Sequence, residues 1–178
     1  MKLDLVCNKQ DEFYTPPYAV EPILKYAKRF NRIWCPFDTE ESHFVKMLCA
    51  DGHTVIATHL SSGRDFFKYT SDADCIISNP PYSIKGDVFK RLFEIGKPFA
   101  MLVGVVGLFE SEKRFSMFKD NEFEIMYLNR RVAYFKNYDD QTPSLNPPFL
   151  SVYLCSKMLP KQIVFERIDK SQTPQRIR

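Results

Sequence analysis

No apolar run in the 178 residues approaches the roughly 20 residues that cross a bilayer. The opening Met1-Lys2-Leu3-Asp4-Leu5-Val6 has neither the long apolar core nor the small-residue cleavage site of a signal peptide. These absences predict a cytoplasmic protein without membrane contact. Cysteine is sparse and unpatterned: the five residues Cys7, Cys35, Cys49, Cys75 and Cys155 are odd in number, none forms Cys-x-x-Cys, and only three histidines accompany them. That argues against a disulfide framework and against a zinc site, so no metal is expected. Cys75 and Cys155 fall inside apolar runs, where a free thiol behaves as a small hydrophobe. Strong charge is missing too, since a net charge of +3 permits a polyanionic partner without requiring one. There is no internal repeat. The length fits one domain, expected over 1–170 without a separate recognition domain, and 171–178 reads as a flexible, mildly basic tail.

What is present alternates between helical and strand periodicity. Pro16-Pro17 precedes Val20, Ile23, Leu24 and Ala27 at helical spacing, and proline suits a helix's first turn because its missing N–H would be unsatisfied there anyway. Arg32-Ile33-Trp34-Cys35-Pro36 is a short strand that must stop at proline. Asp38-Thr39-Glu40-Glu41 then offers a cap for a second helix bearing Phe44, Val45 and Leu48, which Gly52 closes. Thr54-Val55-Ile56-Ala57-Thr58 and Asp74-Cys75-Ile76-Ile77-Ser78 read as further strands. The second of these breaks at Asn79-Pro80-Pro81-Tyr82 before a helix carrying Val88, Phe89, Leu92 and Ile95 and ending at Gly96. Phe99 to Val106 is the most apolar stretch and is expected at the centre of a parallel sheet.

The last third changes character. Glu124–Leu128, Arg131–Phe135 and Phe149–Cys155 suggest an antiparallel edge, and Gln162–Arg167 is one more strand-like run. The polar stretch Lys136 to Pro148 between them has the length and composition of a functional loop. The fold class expected is therefore α/β and Rossmann-like, a mostly parallel central sheet with antiparallel C-terminal strands.

Asn79-Pro80-Pro81-Tyr82 carries the chemistry. An amine conjugated to an aromatic ring is a poor nucleophile because its lone pair is delocalised. An Asn side-chain oxygen and a backbone carbonyl aimed at its two N–H groups favour a tetrahedral nitrogen as positive charge develops. Asn79 and Pro80 supply such acceptors, consecutive prolines hold them in place, and Tyr82 offers a face for a flipped base. The competing reading is a proline-rich turn. A second copy, Asn146-Pro147-Pro148-Phe149, follows a polar loop rather than a buried strand and is read as loop.

With this motif after a buried strand, the chain resembles the adenine-N6 DNA methyltransferases of the EcoRI modification-methylase type and their small mobile-element relatives, over about Asp11 to Lys157. The resemblance implies a methyltransferase of this fold using S-adenosylmethionine as cofactor, with nucleic acid as partner, DNA before RNA. Asp11-Glu12-Phe13-Tyr14-Thr15-Pro16 is similar to the segment that contacts the methionine part of the cofactor, which makes Tyr14 and Thr15 candidates. Asp65-Phe66-Phe67 resembles the family's third-strand motif at the cofactor adenine, against the reading of a surface Asp before core aromatics. Tyr134 and Phe135 occupy the place where the family meets the target base from its other side, against a plain core role.

The family's first motif, Asp-x-Phe-x-Gly-x-Gly, reads Cys35-Pro36-Phe37-Asp38-Thr39-Glu40-Glu41 here, with both glycine places filled by larger residues. Pro36 and Phe37 remain. Asp38 or Glu40 is left to meet the methionine ammonium, helix capping being the alternative for Asp38. The second strand lacks the usual ribose-binding acid at its end, and His59 stands nearby. Two rival functions stay open: methylation of RNA adenine or of protein glutamine, and a catalytically decayed fold serving as a DNA- or partner-binding module. With only a short segment between Phe67 and Asn79, sequence preference must be short and loop-borne, supplied by a partner chain, or absent.

Overall fold

A computed structural model describes residues 13–143 and 149–172. Its seven strands form one sheet in the order β2-β1-β3-β4-β6-β5-β7, the strands being β1 (Arg32–Cys35), β2 (Thr54–Ala57), β3 (Cys75–Ser78), β4 (Phe99–Gly104), β5 (Glu124–Leu128), β6 (Ser151–Ser156) and β7 (Ile163–Glu166). The helices are α1 (Pro17–Ala27), α2 (His43–Ala50), α3 (Lys85–Ile95) and α4 (Glu112–Lys119). Pairing is parallel from β2 through β1 and β3 to β4. β6 then runs antiparallel to both β4 and β5, and β7 is parallel to β5. Only β6 is reversed, so the antiparallel character expected of the C-terminal strands belongs to one of them, and β4 lies at the boundary between parallel and antiparallel pairing.

Side chains on a strand alternate between faces, and β4 shows what each face meets. Ala100 and Leu102 join the cluster that holds Tyr18, Val20 and Ile23 of α1 and Phe44 and Leu48 of α2. Phe99, Met101 and Val103 join the cluster with Val88, Phe89 and Leu92 of α3 and Phe118 of α4. The sheet is thus covered on both faces, which is why its strands read as continuous apolar runs. Buried hydroxyls add to the packing: Tyr153 Oη of β6 donates to the Ala19 carbonyl of α1 at 2.7 Å, and within the sheet Trp34 Nε1 of β1 donates to Thr58 Oγ1 after β2 at 2.8 Å. Among the described residues no helix is long and apolar enough to cross a membrane, and no group of three or more His, Cys, Asp or Glu could hold a metal.

Three local expectations are corrected. Arg131–Phe135 is not a strand; it runs alongside the chain before α1, joined only by a bridge in which Tyr14 and Phe135 exchange backbone hydrogen bonds of 2.9 and 3.1 Å. Asp65–Phe67 is a turn, because Asp65 Oδ1 accepts from its neighbour's amide at Phe67 N, 3.0 Å away. Asp38 does not cap α2. That role falls to Ser42, whose Oγ accepts from Phe44 N at 3.1 Å.

Candidate active site at the carboxyl ends of β1 and β3

From β1 the chain crosses to β2 on one side and later returns to β3 on the other, so the crevice beyond the carboxyl ends of β1 and β3 is a topological switch point. Ligands of open α/β sheets bind at such a point. Pro36, Phe37 and Asp38 follow β1 into it, and Asn79 to Tyr82 follow β3. The two segments are joined through Asp38. Ser42 Oγ donates to Asp38 Oδ1 at 2.5 Å, and Ser78, the last residue of β3, donates its hydroxyl to Asp38 Oδ2. Burial pushes the Asp38 carboxyl up to about 6, against the two serine hydrogen bonds that favour its charged form.

Asn79 is gripped by the segment before α1. Its Nδ2 donates to the Phe13 carbonyl at 2.7 Å and to Thr15 Oγ1 at 3.2 Å. With both amide hydrogens spent, the side chain cannot flip. Its Oδ1 is buried and has no hydrogen-bond partner among the described residues. Leaving such an acceptor unsatisfied costs about 1–3 kcal/mol, a cost that a ligand N–H would remove. Pro80 beside it is buried and Pro81 half-buried.

Around this amide stand four aromatic rings. Phe13 is stacked on Tyr82 at 5.6 Å between centroids and 21° between planes. Phe149 meets Tyr82 edge-on at 5.3 Å, and Tyr134 meets Tyr82 at 6.1 Å and Phe149 at 6.3 Å. Tyr134 is fully buried, its hydroxyl hydrogen-bonded with Ser151 Oγ at 2.8 Å and held protonated well above its ordinary range by burial. Phe149, the described residue of the second motif, lies in a bend before β6, in keeping with the reading as loop, and its ring packs among these aromatics. Asn146, Pro147 and Pro148 lie outside the described residues.

The remaining candidates divide between two neighbouring clusters. Phe37 and Phe66 pack at 4.9 Å and Phe66 reaches Trp34 at 5.5 Å, forming an apolar wall beside the crevice. Asp65 spends one oxygen on the turn and lies 3.9 Å from Lys68 Nζ. Glu40 is exposed. Tyr14 and Phe135 do not join the Tyr82 rings. They pack on Tyr138, at 4.3 and 5.1 Å, beside His43 at the start of α2. Burial, then the Asp38 charge, raise the Tyr138 hydroxyl above its ordinary range, which places that ring in the field of the carboxylate. Sequence reasoning did not single out Phe13, Ser42, Ser78, Tyr138 or Phe149 as site residues, although Phe13 lies in the segment before α1, Tyr138 in the polar loop and Phe149 in the repeated Pro-Pro-aromatic pattern.

The mostly parallel sheet, the reversed β6 and the helices on both faces make a Rossmann-like α/β fold. No protein-family model matches the chain, and no curated protein matches its sequence. Among solved structures it is similar to a modification subunit ascribed to a type I restriction enzyme from Vibrio vulnificus YJ016, with TM-score 0.53 and 11% identity over 89% of this chain and 47% of that one. Weaker likenesses are TrmN from Thermus thermophilus (TM-score 0.42, 15% identity, 79% of this chain and 48% of that) and precorrin-6y C5,15-methyltransferase from Geobacter metallireducens GS-15 (0.41, 10%, 83% and 93%). The chain spans about half the length of the first two.

Proposed function

We propose that this chain is an S-adenosylmethionine-dependent methyltransferase acting on the exocyclic N6 amino group of adenine in DNA, working as one catalytic unit over 1–170 and relying on a partner chain for any extended sequence reading. The observation that carries the reading is the buried, unpartnered Asn79 Oδ1, locked in direction by Phe13 and Thr15. Asn79 Oδ1 and the Pro80 carbonyl accept the two N–H groups of the amine. They draw its lone pair out of conjugation as the nitrogen becomes tetrahedral, an interaction stronger in the transition state than before it. Tyr82 and its neighbouring rings supply the stacking face, which requires Phe13 or Phe149 to yield to the base. After transfer the cationic nitrogen loses one proton to water, so no strong base is needed.

The residues at the switch point fit the cofactor. A carboxylate has about four acceptor sites, and Asp38 spends one on each serine, leaving lone pairs for the methionine ammonium. Phe37 and Phe66 offer an apolar wall to the adenine, and Pro36 holds the chain at the end of β1. The cofactor, when bound, supplies an electrophilic methyl group on a sulfonium.

Transfer of isotope-labelled methyl to single- and double-stranded DNA and to RNA, followed by nucleoside mass spectrometry, tests the reading. N6-methyladenine should form in DNA and fall about 10²–10³-fold in Asn79→Ala, the usual loss when one aimed polar group is removed, while calorimetry still detects cofactor binding. Full activity in that variant would sink the assignment. A second reading has its own support: the glycine places of the first motif are filled, and Phe13 covers Tyr82. It is a binding module with a decayed pocket, and it predicts neither product nor cofactor binding.

A further inference from the structure

The reaction described above leaves α4 and the loop after β4 without a role, yet they carry exposed apolar side chains beside cations. Val106, Phe109 and Phe115 are exposed at 59, 47 and 61%, and Lys113 and Arg114 stand among them on α4. Phe118 is the one buried residue of that helix. Between α4 and the first turn of α3 lies a cleft of about 240 Å³, lined by Ser83, Gly86, Asp87, Ser111, Lys113 and Arg114 among others. Ser83, which lines the cleft, directly follows Tyr82 of the proposed base pocket.

Arg114 sets the chemistry of the cleft. Its guanidinium nitrogens lie 3.2 Å from where a Cβ on Gly86 would be and 3.6 Å from where one on Gly107 would be. Glycine at both places lets the planar group lie against the backbone of α3 and of the loop after β4. Asp87, the acid in the cleft, is paired with Lys113 at 3.4 Å, and no ion pair or hydrogen bond holds the Arg114 guanidinium among the described residues. An unspent guanidinium presents a fork of donors matched to phosphate oxygens. The cleft is smaller than the ~300–1,000 Å³ that encloses a drug-sized ligand, so it suits one phosphodiester group and not a second cofactor. Cations interleaved with exposed rings are the means by which proteins follow a single strand, charge tracking the backbone while bases stack.

We propose that the α3–α4 cleft binds a phosphodiester of the DNA strand that carries the target adenine, with Arg114 holding the phosphate and Phe115 offering a stacking face to a neighbouring base. This rests on the methyltransferase reading and extends it to substrate positioning. Ser111 caps α4 by accepting from Arg114 N at 3.1 Å, which fixes where the Arg114 side chain leaves the helix.

The test is fluorescence anisotropy of a labelled single-stranded DNA oligonucleotide with the full chain, across a salt series, for wild type, Arg114→Ala and Phe115→Ala. Arg114→Ala should weaken binding about 3–10-fold and reduce the salt slope by about 0.7, the loss of one phosphate contact on a single strand. Phe115→Ala should weaken binding about as much with the slope unchanged. Thermal midpoint and cofactor calorimetry should match wild type in both. Unchanged affinity and slope in Arg114→Ala would overturn the proposal, as would Arg114-dependent binding of an RNA oligonucleotide without binding of DNA. Because binding is read without turnover, a failure of the methyl-transfer chemistry at Asn79 shows separately from a failure here.

Discussion

A carboxylate shut away from water is costly to ionise, and Asp38 has only two serine hydroxyls to offset that cost. Its folded-state value is raised from 3.8 to about 6. A raised value means that the folded protein holds the proton more tightly than the unfolded chain. Its stabilising contribution is therefore complete below about 4 and is lost as pH rises through about 6. That rise in the folded-state value corresponds to a free energy on the order of 3 kcal/mol. Asp38→Asn should raise the melting temperature above wild type at pH 8, the gap closing by pH 4 in melts followed by circular dichroism, while cofactor affinity falls above about pH 6, where the wild-type carboxylate is charged. A gap that does not change with pH would remove Asp38 as the titrating group. Thr15 is read by a smaller change: Thr15→Val keeps shape but removes the acceptor 3.2 Å from Asn79 Nδ2. One neutral hydrogen bond is worth about 0.5–1.5 kcal/mol, so kcat should drop about 2–10-fold with cofactor affinity unchanged. Asn79 to Tyr82 were legible in the sequence because they are contiguous and follow a buried strand. Phe13, Ser42 and Ser78 were not, since they reach the site from separate segments and each is an ordinary residue on its own.

The elements that read correctly are those whose burial is strong and periodic. β3 and β4 are apolar throughout because both faces are covered, and α1 and α3 show their core stripes. α4 escaped sequence reading for the opposite reason: of its eight residues only Phe118 is buried, so there is no stripe to see and Ser111 alone marks its start. Arg131–Phe135 has strand-like composition, but it pairs only by the single bridge between Phe135 and Tyr14 of the segment before α1 and joins no strand of the sheet. Composition states how a segment can be buried; which partner buries it is a tertiary fact. The close fit between β4 and the returning chain gives a test. A Cβ on Gly104 would lie 2.9 Å from Phe149 Cδ2, nearer than real contacts allow, and the ring is held by Tyr82 and Tyr134. Gly104→Ala should lower unfolding free energy by about 1–3 kcal/mol, the usual cost of overpacking. Adding Phe149→Leu should recover part of that loss in urea titrations, a coupling that a purely local effect of the glycine would not produce.

Across the whole molecule, what the fold offers a polyanion is narrow. The net charge is +3, so the long-range field is weak. Among the described residues, α4 and the loop before it combine Lys113 and Arg114 with the exposed rings of Phe109 and Phe115. The mostly parallel character of the sheet was legible in the alternation of elements, whereas its strand order and the switch point came only with the structure. So did the direction of β7, because parallel pairing with β5 depends on where the chain turns after β6. Between Phe67 and Asn79 the described chain has no helix and β3 as its only strand, leaving no element there to enter a groove. Reading base edges takes several bidentate contacts, each worth about 1–3 kcal/mol of discrimination. With only the proposed base pocket and the Arg114 cleft to hold the strand in this reading, this chain alone should bind DNA with a shallow salt slope and methylate adenine in many contexts. Rates on oligonucleotides with randomised flanks should then spread by less than about tenfold, the equivalent of about 1.4 kcal/mol. Enrichment of one flanking sequence by a hundredfold or more would mean that the chain reads bases itself, and the partner chain would no longer be needed to explain specificity.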